Sequence, residues 1–126
     1  MIYQALCPAF EVREVGKITL VTFSFEFLGN DVYLQELGDH LFALVEQENR
    51  KNILLDFRRV LKLESTLIAK LVALQRKAQS AGCRLALCRL SPALQESLHI
   101  LRLDSLFHIY ENEVEGLASL ALNQVH

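Results

Sequence analysis

The sequence predicts an α/β fold: a sheet of four to five mostly parallel strands, with an antiparallel strand at its N-terminus and about four packing helices. Short apolar segments alternate with segments of helical periodicity in the order ββαβαβαβα, which favours parallel strands joined by helical crossovers. Most of these strands are nearly continuous apolar runs, as expected for strands buried on both faces. The chain has 126 residues, 52% of them apolar, so we expect one domain over residues 1–126.

The N-terminal part of the chain predicts a hairpin. Phe10–Arg13 alternates between apolar and charged side chains, which suits a half-exposed edge strand. Glu14–Lys17 then forms a turn, and Ile18–Phe25 is almost entirely apolar or β-branched. A tight turn between the two segments makes these strands antiparallel, with the second buried on both faces.

Helix and strand signals alternate along the rest of the chain. Ser91–Pro92 places a hydroxyl N-cap before a proline at the first helical position, and Asn112–Glu115 has the spacing of a capping box. The predicted elements are a helix from Gly29–Asp31 to about Glu48, a strand over Asn52–Asp56, a helix over Ser65–Ala81 closed by Gly82, a strand over Cys83–Cys88, a helix opened by Ser91, a strand over Phe107–Tyr110 and a last helix from Asn112.

Composition excludes several classes of protein. The net charge is −2 and the Lys and Arg residues are dispersed, without the basic stripe of a nucleic-acid-binding protein. No segment is long and apolar enough for membrane insertion. The N-terminus has neither the basic start nor the long apolar run of a signal peptide, which favours a cytoplasmic location.

Signals of enzymatic chemistry are weak. The helix starts lack glycine-rich phosphate-binding motifs, and the four histidines have no metal-ligand spacing with one another or with the three cysteines. Cys83 and Cys88 lie five residues apart in one predicted strand, so they point to opposite faces and are expected to be reduced core thiols. We therefore expect no catalytic activity, no metal and no organic cofactor.

The strongest functional signal lies between a buried strand and the long helix that follows it. The strand ends in Asp56, a basic loop follows, and Glu64–Ser65 opens the helix. In parallel sheets, function gathers at the carboxyl ends of the strands. A phosphoryl group on Ser65 would meet free backbone N–H groups and the positive end of the helix dipole. Ser65 is therefore a candidate phosphorylation site, although an N-cap alone is the simpler interpretation.

From Asn52 to Leu120 the chain resembles the STAS family, the domain of anti-sigma-factor antagonists and sulphate-transporter tails. The order and spacing of several segments carry this resemblance. They are Leu55–Asp56, Val60, Glu64–Thr66, Ala78–Gly82, Cys83–Leu87, Ser91–Pro92, Leu103–Phe107 and Ile109–Tyr110. The family motif Asp-Ser-Ser/Thr-Gly-Leu-Gly corresponds here to residues 64–69. Ser65 is kept, Glu64 replaces the aspartate, and Leu67 and Ala69 replace the two glycines.

The resemblance implies a bacterial signalling module that acts in transcription regulation. Such a module binds an anti-sigma factor or an ATP-dependent serine kinase through the face around Ser65 and is switched by phosphorylation of that serine. The candidate partner-binding residues are Asp31, Arg58, Arg59, Lys62, Glu64, Thr66 and Leu67.

Two alternatives stay open on the sequence. The loss of both motif glycines favours a constitutive STAS-like scaffold in a transport or sensory complex, without phosphorylation. The position of Asp56 at a strand end also fits a receiver-like phosphoacceptor. Against that second alternative, the end of the first parallel strand has one carboxylate, Glu26, where a Mg²⁺ pocket needs an acidic pair.

Overall fold

The computed structural model describes residues 2–3, 10–23, 27–28, 31–46, 51–60, 62–63 and 65–122, and the side chains of 11–23, 38–46, 51–60 and 68–121. Its strands are β1 (Ile2–Tyr3), β2 (Phe10–Val15), β3 (Ile18–Phe23), β4 (Phe27–Leu28), β5 (Asn52–Asp56), β6 (Lys62–Leu63), β7 (Arg84–Cys88) and β8 (His108–Tyr110). Its helices are α1 (Asp31–Glu46), α2 (Ser65–Ala81), α3 (Pro92–Ile100) and α4 (Glu113–Leu122).

The main sheet has the order β1-β2-β3-β5-β7-β8. The β1–β2 and β2–β3 pairs are antiparallel, and β3, β5, β7 and β8 run parallel to one another. This confirms the predicted fold class, with β3 inside the sheet. The structure adds β1 outside the predicted edge strand β2, because two residues are too few to show a periodicity in the sequence. It also adds a separate parallel pair of two-residue strands, β4 and β6.

One face of the sheet is covered by α1, α2 and α3. Odd-numbered residues of β3, β5 and β7 join buried residues of these three helices in a single core cluster. The main contributors from the helices are Leu41, Leu44, Val45, Ile68, Leu71, Leu74, Ala78, Leu94 and Leu98. In α2, Leu71, Leu74 and Ala78 recur at helical spacing in the sequence, which predicts one buried stripe. All three are buried in the structure, which confirms that prediction.

The opposite face packs against α4. Ile18, Leu20, Leu54, Ala86 and Cys88 form a second, smaller core cluster with Leu120 of that helix. The alternation along a strand places these residues on the face away from α1 and α2.

The close approach of α4 to the sheet depends on Gly116. A Cβ atom there would lie 2.8 Å from Leu54 Cδ1, and Leu54 is fully buried. We expect Gly116→Ala to lower the free energy of unfolding by about 1–3 kcal/mol through overpacking, despite a gain of about 1 kcal/mol in helix propensity. The matched control is Gly38→Ala in α1, whose Cβ would meet only the flexible Lys70 side chain at 3.2 Å. Equal unfolding midpoints for the two variants would contradict this packing.

The predicted helix signals act as expected. Ser91 Oγ accepts a hydrogen bond from Leu94 N at 3.2 Å, and Gly82 follows α2 with φ +74°. Asn112 Oδ1 accepts from Glu115 N at 2.9 Å. The return bond differs from a standard capping box, because Glu115 accepts from the Asn112 side-chain amide.

The two described thiols point to opposite faces of the sheet, since Cys83 belongs to the larger core cluster and Cys88 to the smaller. Burial raises the pKa of Cys83 to about 11. Burial, together with the negative charges of Asp56 and Glu113, raises the pKa of Cys88 to about 12. Both thiols are therefore protonated at neutral pH.

We expect Cys83 and Cys88 to resist alkylation in the native protein, because the thiolate is the reactive form. The measurement is the rate of reaction with a thiol reagent in a Cys7→Ser background, since Cys7 lies outside the described residues. Two thiols should react after unfolding and neither before it. Rapid reaction of the native protein at neutral pH would show that this placement is wrong.

Candidate functional site

The candidate site lies at the carboxyl edge of the parallel strands. The segments that leave β5, β7 and β8 all emerge at this edge, where function gathers in parallel sheets. The long helix α2 begins at Ser65, as the sequence predicts. Because Phe27 and Leu28 of β4 pair with Lys62 and Leu63 of β6, the chain entering α1 runs beside the chain entering α2.

Asp56 fixes the loop that follows β5. The residue is fully buried, and its Oδ1 accepts a hydrogen bond from the backbone N–H of Arg58 at 3.0 Å. The loop is closed by Val60 N, which donates to Phe57 O at 2.9 Å, and is tied to β7 by Phe57 N, which donates to Cys88 O at 3.0 Å. This is the aspartate turn in which a side chain bonds to the backbone two residues on. Asp56 therefore has a structural role in positioning the basic loop.

The second carboxylate oxygen of Asp56, Oδ2, makes weaker interactions than Oδ1. Among the described residues, Oδ2 has no hydrogen-bond partner, and Arg58 Nε lies 3.9 Å away as an ion pair. Because a separation of 3.9 Å exceeds hydrogen-bond length, the guanidinium N–H donors are not used by this pair. Arg58 itself is exposed over nearly half of its side chain, so its donors face solvent.

The structure brings several predicted partner-binding residues to one edge. Arg58 and Arg59 are both exposed in the loop after β5. Lys62 lies in β6, Asp31 is the first residue of α1, and Thr66 and Leu67 follow Ser65 in the first turn of α2. The side chains of Asp31, Lys62, Ser65, Thr66 and Leu67 and the whole of Glu64 lie outside the described residues.

The first described side chains of α2 show how the helix is held. Ile68 is buried and Ala69, which stands in place of a motif glycine, is exposed. Further along, Gln75 Nε2 donates to Leu106 O at 3.1 Å and fastens α2 to the segment between α3 and β8. These contacts fix α2, and with it the position of the helix start.

Sequence reasoning missed two features of this edge. Arg89 is exposed directly after β7 in the left-handed conformation, with φ 57°, which is uncommon for a residue with a side chain. A cavity of about 160 Å³ also opens at this edge, lined by Glu11, Arg13, Thr22, Phe23, Arg58 and Arg59. The alternation along β2 places Glu11 and Arg13 on one face, but only the register between strands brings them to the loop after β5.

The described residues contain neither a metal-binding cluster nor a membrane-spanning helix. Within the described ranges, no group of three or more His, Cys, Asp or Glu side chains is arranged to hold a metal ion. None of the described helices combines the length and apolar character needed to cross a bilayer.

Comparison with known proteins identifies a family. The family model described as "Mlab, STAS domain" matches residues 33–109, which is more than half of the chain. A comparison with curated proteins finds no match.

Solved structures show the same fold at low sequence identity. An anti-sigma-factor antagonist (STAS) domain protein of Planctomyces limnophilus is 22% identical with a TM-score of 0.78, over 89% of this chain and 97% of that one. The Bacillus cell-fate determinant SpoIIAA in its phosphorylated form is 17% identical with a TM-score of 0.66, over 94% and 100%. A sulfate transporter family protein of Wolinella succinogenes is 20% identical with a TM-score of 0.69, over 86% and 88%.

Proposed function

This chain belongs to the STAS family, and on that premise we propose that it is a non-enzymatic interaction module of the anti-sigma-factor-antagonist type. It binds an anti-sigma factor or an ATP-dependent serine kinase in the cytoplasm, through the face around Ser65, and so regulates transcription. The observation that carries the proposal is that α2 begins at Ser65, at the carboxyl edge of the sheet and beside the chain that enters α1.

Phosphorylation of Ser65 is the proposed switch. A phosphoryl group adds about −1.5 to −2 charges at neutral pH, and the free N–H groups at a helix start can accept it within the protein. The same charge opposes a partner surface that has docked on the face, by repulsion and by the free energy of desolvation. The likeness to a Bacillus protein solved in a phosphorylated form supports the switch.

Charge at the edge indicates the chemistry of the partner. Arg58, Arg59 and Arg89 are exposed in loops that leave adjacent strands of the sheet. Guanidinium groups pair well with carboxylates in bidentate geometry. We therefore propose that the partner presents an acidic surface to this edge.

A constitutive scaffold is the second candidate function. The exposed methyl group of Ala69 replaces a family glycine on the first turns of α2. The similarity to a sulfate transporter family protein gives this alternative independent support. In such a complex the same face would bind a permanent partner and Ser65 would stay unmodified.

The receiver-like alternative has less support from the geometry. Asp56 is fully buried, and one of its oxygens holds the backbone N–H of Arg58. A phosphoryl donor needs access to that carboxylate, and modification would break the turn that it closes. We therefore assign Asp56 to positioning of the loop.

The test is incubation of the purified chain with ATP and its cognate kinase, followed by intact-mass measurement and peptide mapping. The proposal expects one phosphate on Ser65 and none in Ser65→Ala. An unmodified chain that still binds its partner supports the scaffold. An acid-labile phosphate on Asp56 would establish the receiver-like alternative instead.

A further inference from the structure

We propose that the cavity between β2 and the loop after β5 is a binding site for a single phosphate-sized oxyanion. We call it the arginine cleft, defined by Glu11, Arg13, Thr22, Arg58 and Arg59. It shares Arg58 and Arg59 with the edge at which the protein partner is proposed to bind, but binding of an oxyanion there requires neither a partner nor a modification of the chain.

The strand register builds the cleft on one face of the sheet. Glu11 of β2 pairs with Thr22 of β3, and Thr22 pairs with Asp56 of β5, so these three side chains form a row on the same face. Arg13 lies two residues from Glu11 and shares that face, while Val12 between them is buried in the core on the other side. This face carries α4, but Glu11 and Arg13 are exposed beyond it. The face of α1 and α2 is the opposite one.

The charged side chains of the arginine cleft favour binding of an anion. Among the described residues, three guanidinium groups and one carboxylate line the cleft. Arg13 Nε lies 3.8 Å from Glu11 Oε1, and Arg58 Nε lies 3.9 Å from Asp56 Oδ2. Both distances exceed hydrogen-bond length, so these pairs partly balance charge without using the guanidinium donors. An oxyanion between the arginines can therefore receive several charge-assisted hydrogen bonds.

The loop that carries Arg58 and Arg59 is held in place without a ligand, so the cleft is preformed. Arg58 is held at its backbone by the buried carboxylate of Asp56, at 3.0 Å from Oδ1. The cleft floor is a central strand of the sheet, since β3 is paired on both sides. The arginines thus project from fixed backbone positions, and an anion does not have to order the loop in order to bind.

Volume limits the size of the ligand. The cavity measures about 160 Å³. A cavity of about 150 Å³ accepts a molecule the size of benzene, and pockets for drug-sized ligands start at about 300 Å³. The cleft can therefore hold a phosphate or a sulfate group, and it is too small to enclose a nucleotide.

The experiment is a titration of the ¹⁵N-labelled full chain with inorganic phosphate, with chloride exchanged so that the ionic strength is constant. We expect saturable shifts of the amide signals of residues 11–13, 22–23 and 58–59. Acetate should bind more weakly, because it carries one negative charge. Shifts that do not saturate, or an equal response to acetate, would overturn the proposal.

Substitutions that remove a positive charge and one that removes a negative charge give opposite predictions for phosphate binding. Arg13→Gln and Arg58→Gln should each raise the dissociation constant for phosphate by about threefold or more, because each removes one ion pair with the ligand. Glu11→Gln should lower it, because it removes a repulsive negative charge from the lining. Arg76→Gln, at an exposed position of α2, is the matched control and should bind as the unaltered chain does. Weaker binding by Glu11→Gln, or equal loss in Arg76→Gln, would contradict the site.

Discussion

Replacing Leu71 with alanine should lower the free energy of unfolding by about 2–5 kcal/mol. The side chain lies in the middle of α2, is 2% exposed and belongs to the larger core cluster between the helices and the sheet. Truncation removes buried apolar contacts and leaves a cavity that its neighbours can fill only in part. The measurement is the midpoint and slope of urea unfolding.

The control for this variant is the same substitution at the surface. Leu101 is 53% exposed, so Leu101→Ala should change the free energy of unfolding by no more than about 0.5 kcal/mol. If Leu71→Ala has the same unfolding midpoint as the unaltered chain, α2 does not pack against the sheet as in the structure. The position of the helix start at Ser65 would then also be wrong.

Replacing Ser65 with aspartate should weaken binding of the protein partner by at least about tenfold, which is about 1.4 kcal/mol. The reason is that α2 begins at Ser65, at the edge where the partner is proposed to dock, so the substitution adds a negative charge to that edge. Because a carboxylate imitates a phosphoryl group imperfectly, the chain phosphorylated by its kinase should lose more affinity than the variant. Titration calorimetry of each form against the partner measures the change.

Two controls separate charge from other effects. Ser65→Ala removes the hydroxyl without adding charge and should keep most of the affinity. Ser80→Asp adds the same charge to an exposed residue at the other end of α2 and should leave binding unchanged. Equal losses of affinity in Ser65→Asp and Ser80→Asp would show that the effect comes from the net charge of the chain and not from the position of residue 65.

The strongly patterned parts of the fold could be predicted from the sequence. The bounds of α2 are those predicted, because a continuous apolar stripe ends at Gly82, whose φ of +74° suits glycine. The helix start at Ser91 also follows from local chemistry, since a hydroxyl cap and a proline act over three residues. Strand ends carry no comparable capping signal in the sequence, and β7 begins one residue later than predicted.

What the sequence could not show depends on contacts between distant residues. β1 has two residues and is defined only by its pairing with β2. Asp56 appeared as a candidate phosphoacceptor because the sequence shows its position at a strand end but not its full burial or its bond to Arg58. The arginine cleft likewise joins residues 11–13 to residues 58–59, and nothing in either segment alone indicates the other.

The most direct test of the central claim is to map where the partner binds. The partner captured with the chain as bait in its own cells would be added to the ¹⁵N-labelled chain, and the amide signals would be followed. We predict that changes concentrate at the carboxyl edge, at residues 58–60, 65–70 and 89–91. The segment 101–106, on the opposite edge, should be unaffected. Changes centred on that segment, or no complex at all, would contradict binding through the face around Ser65.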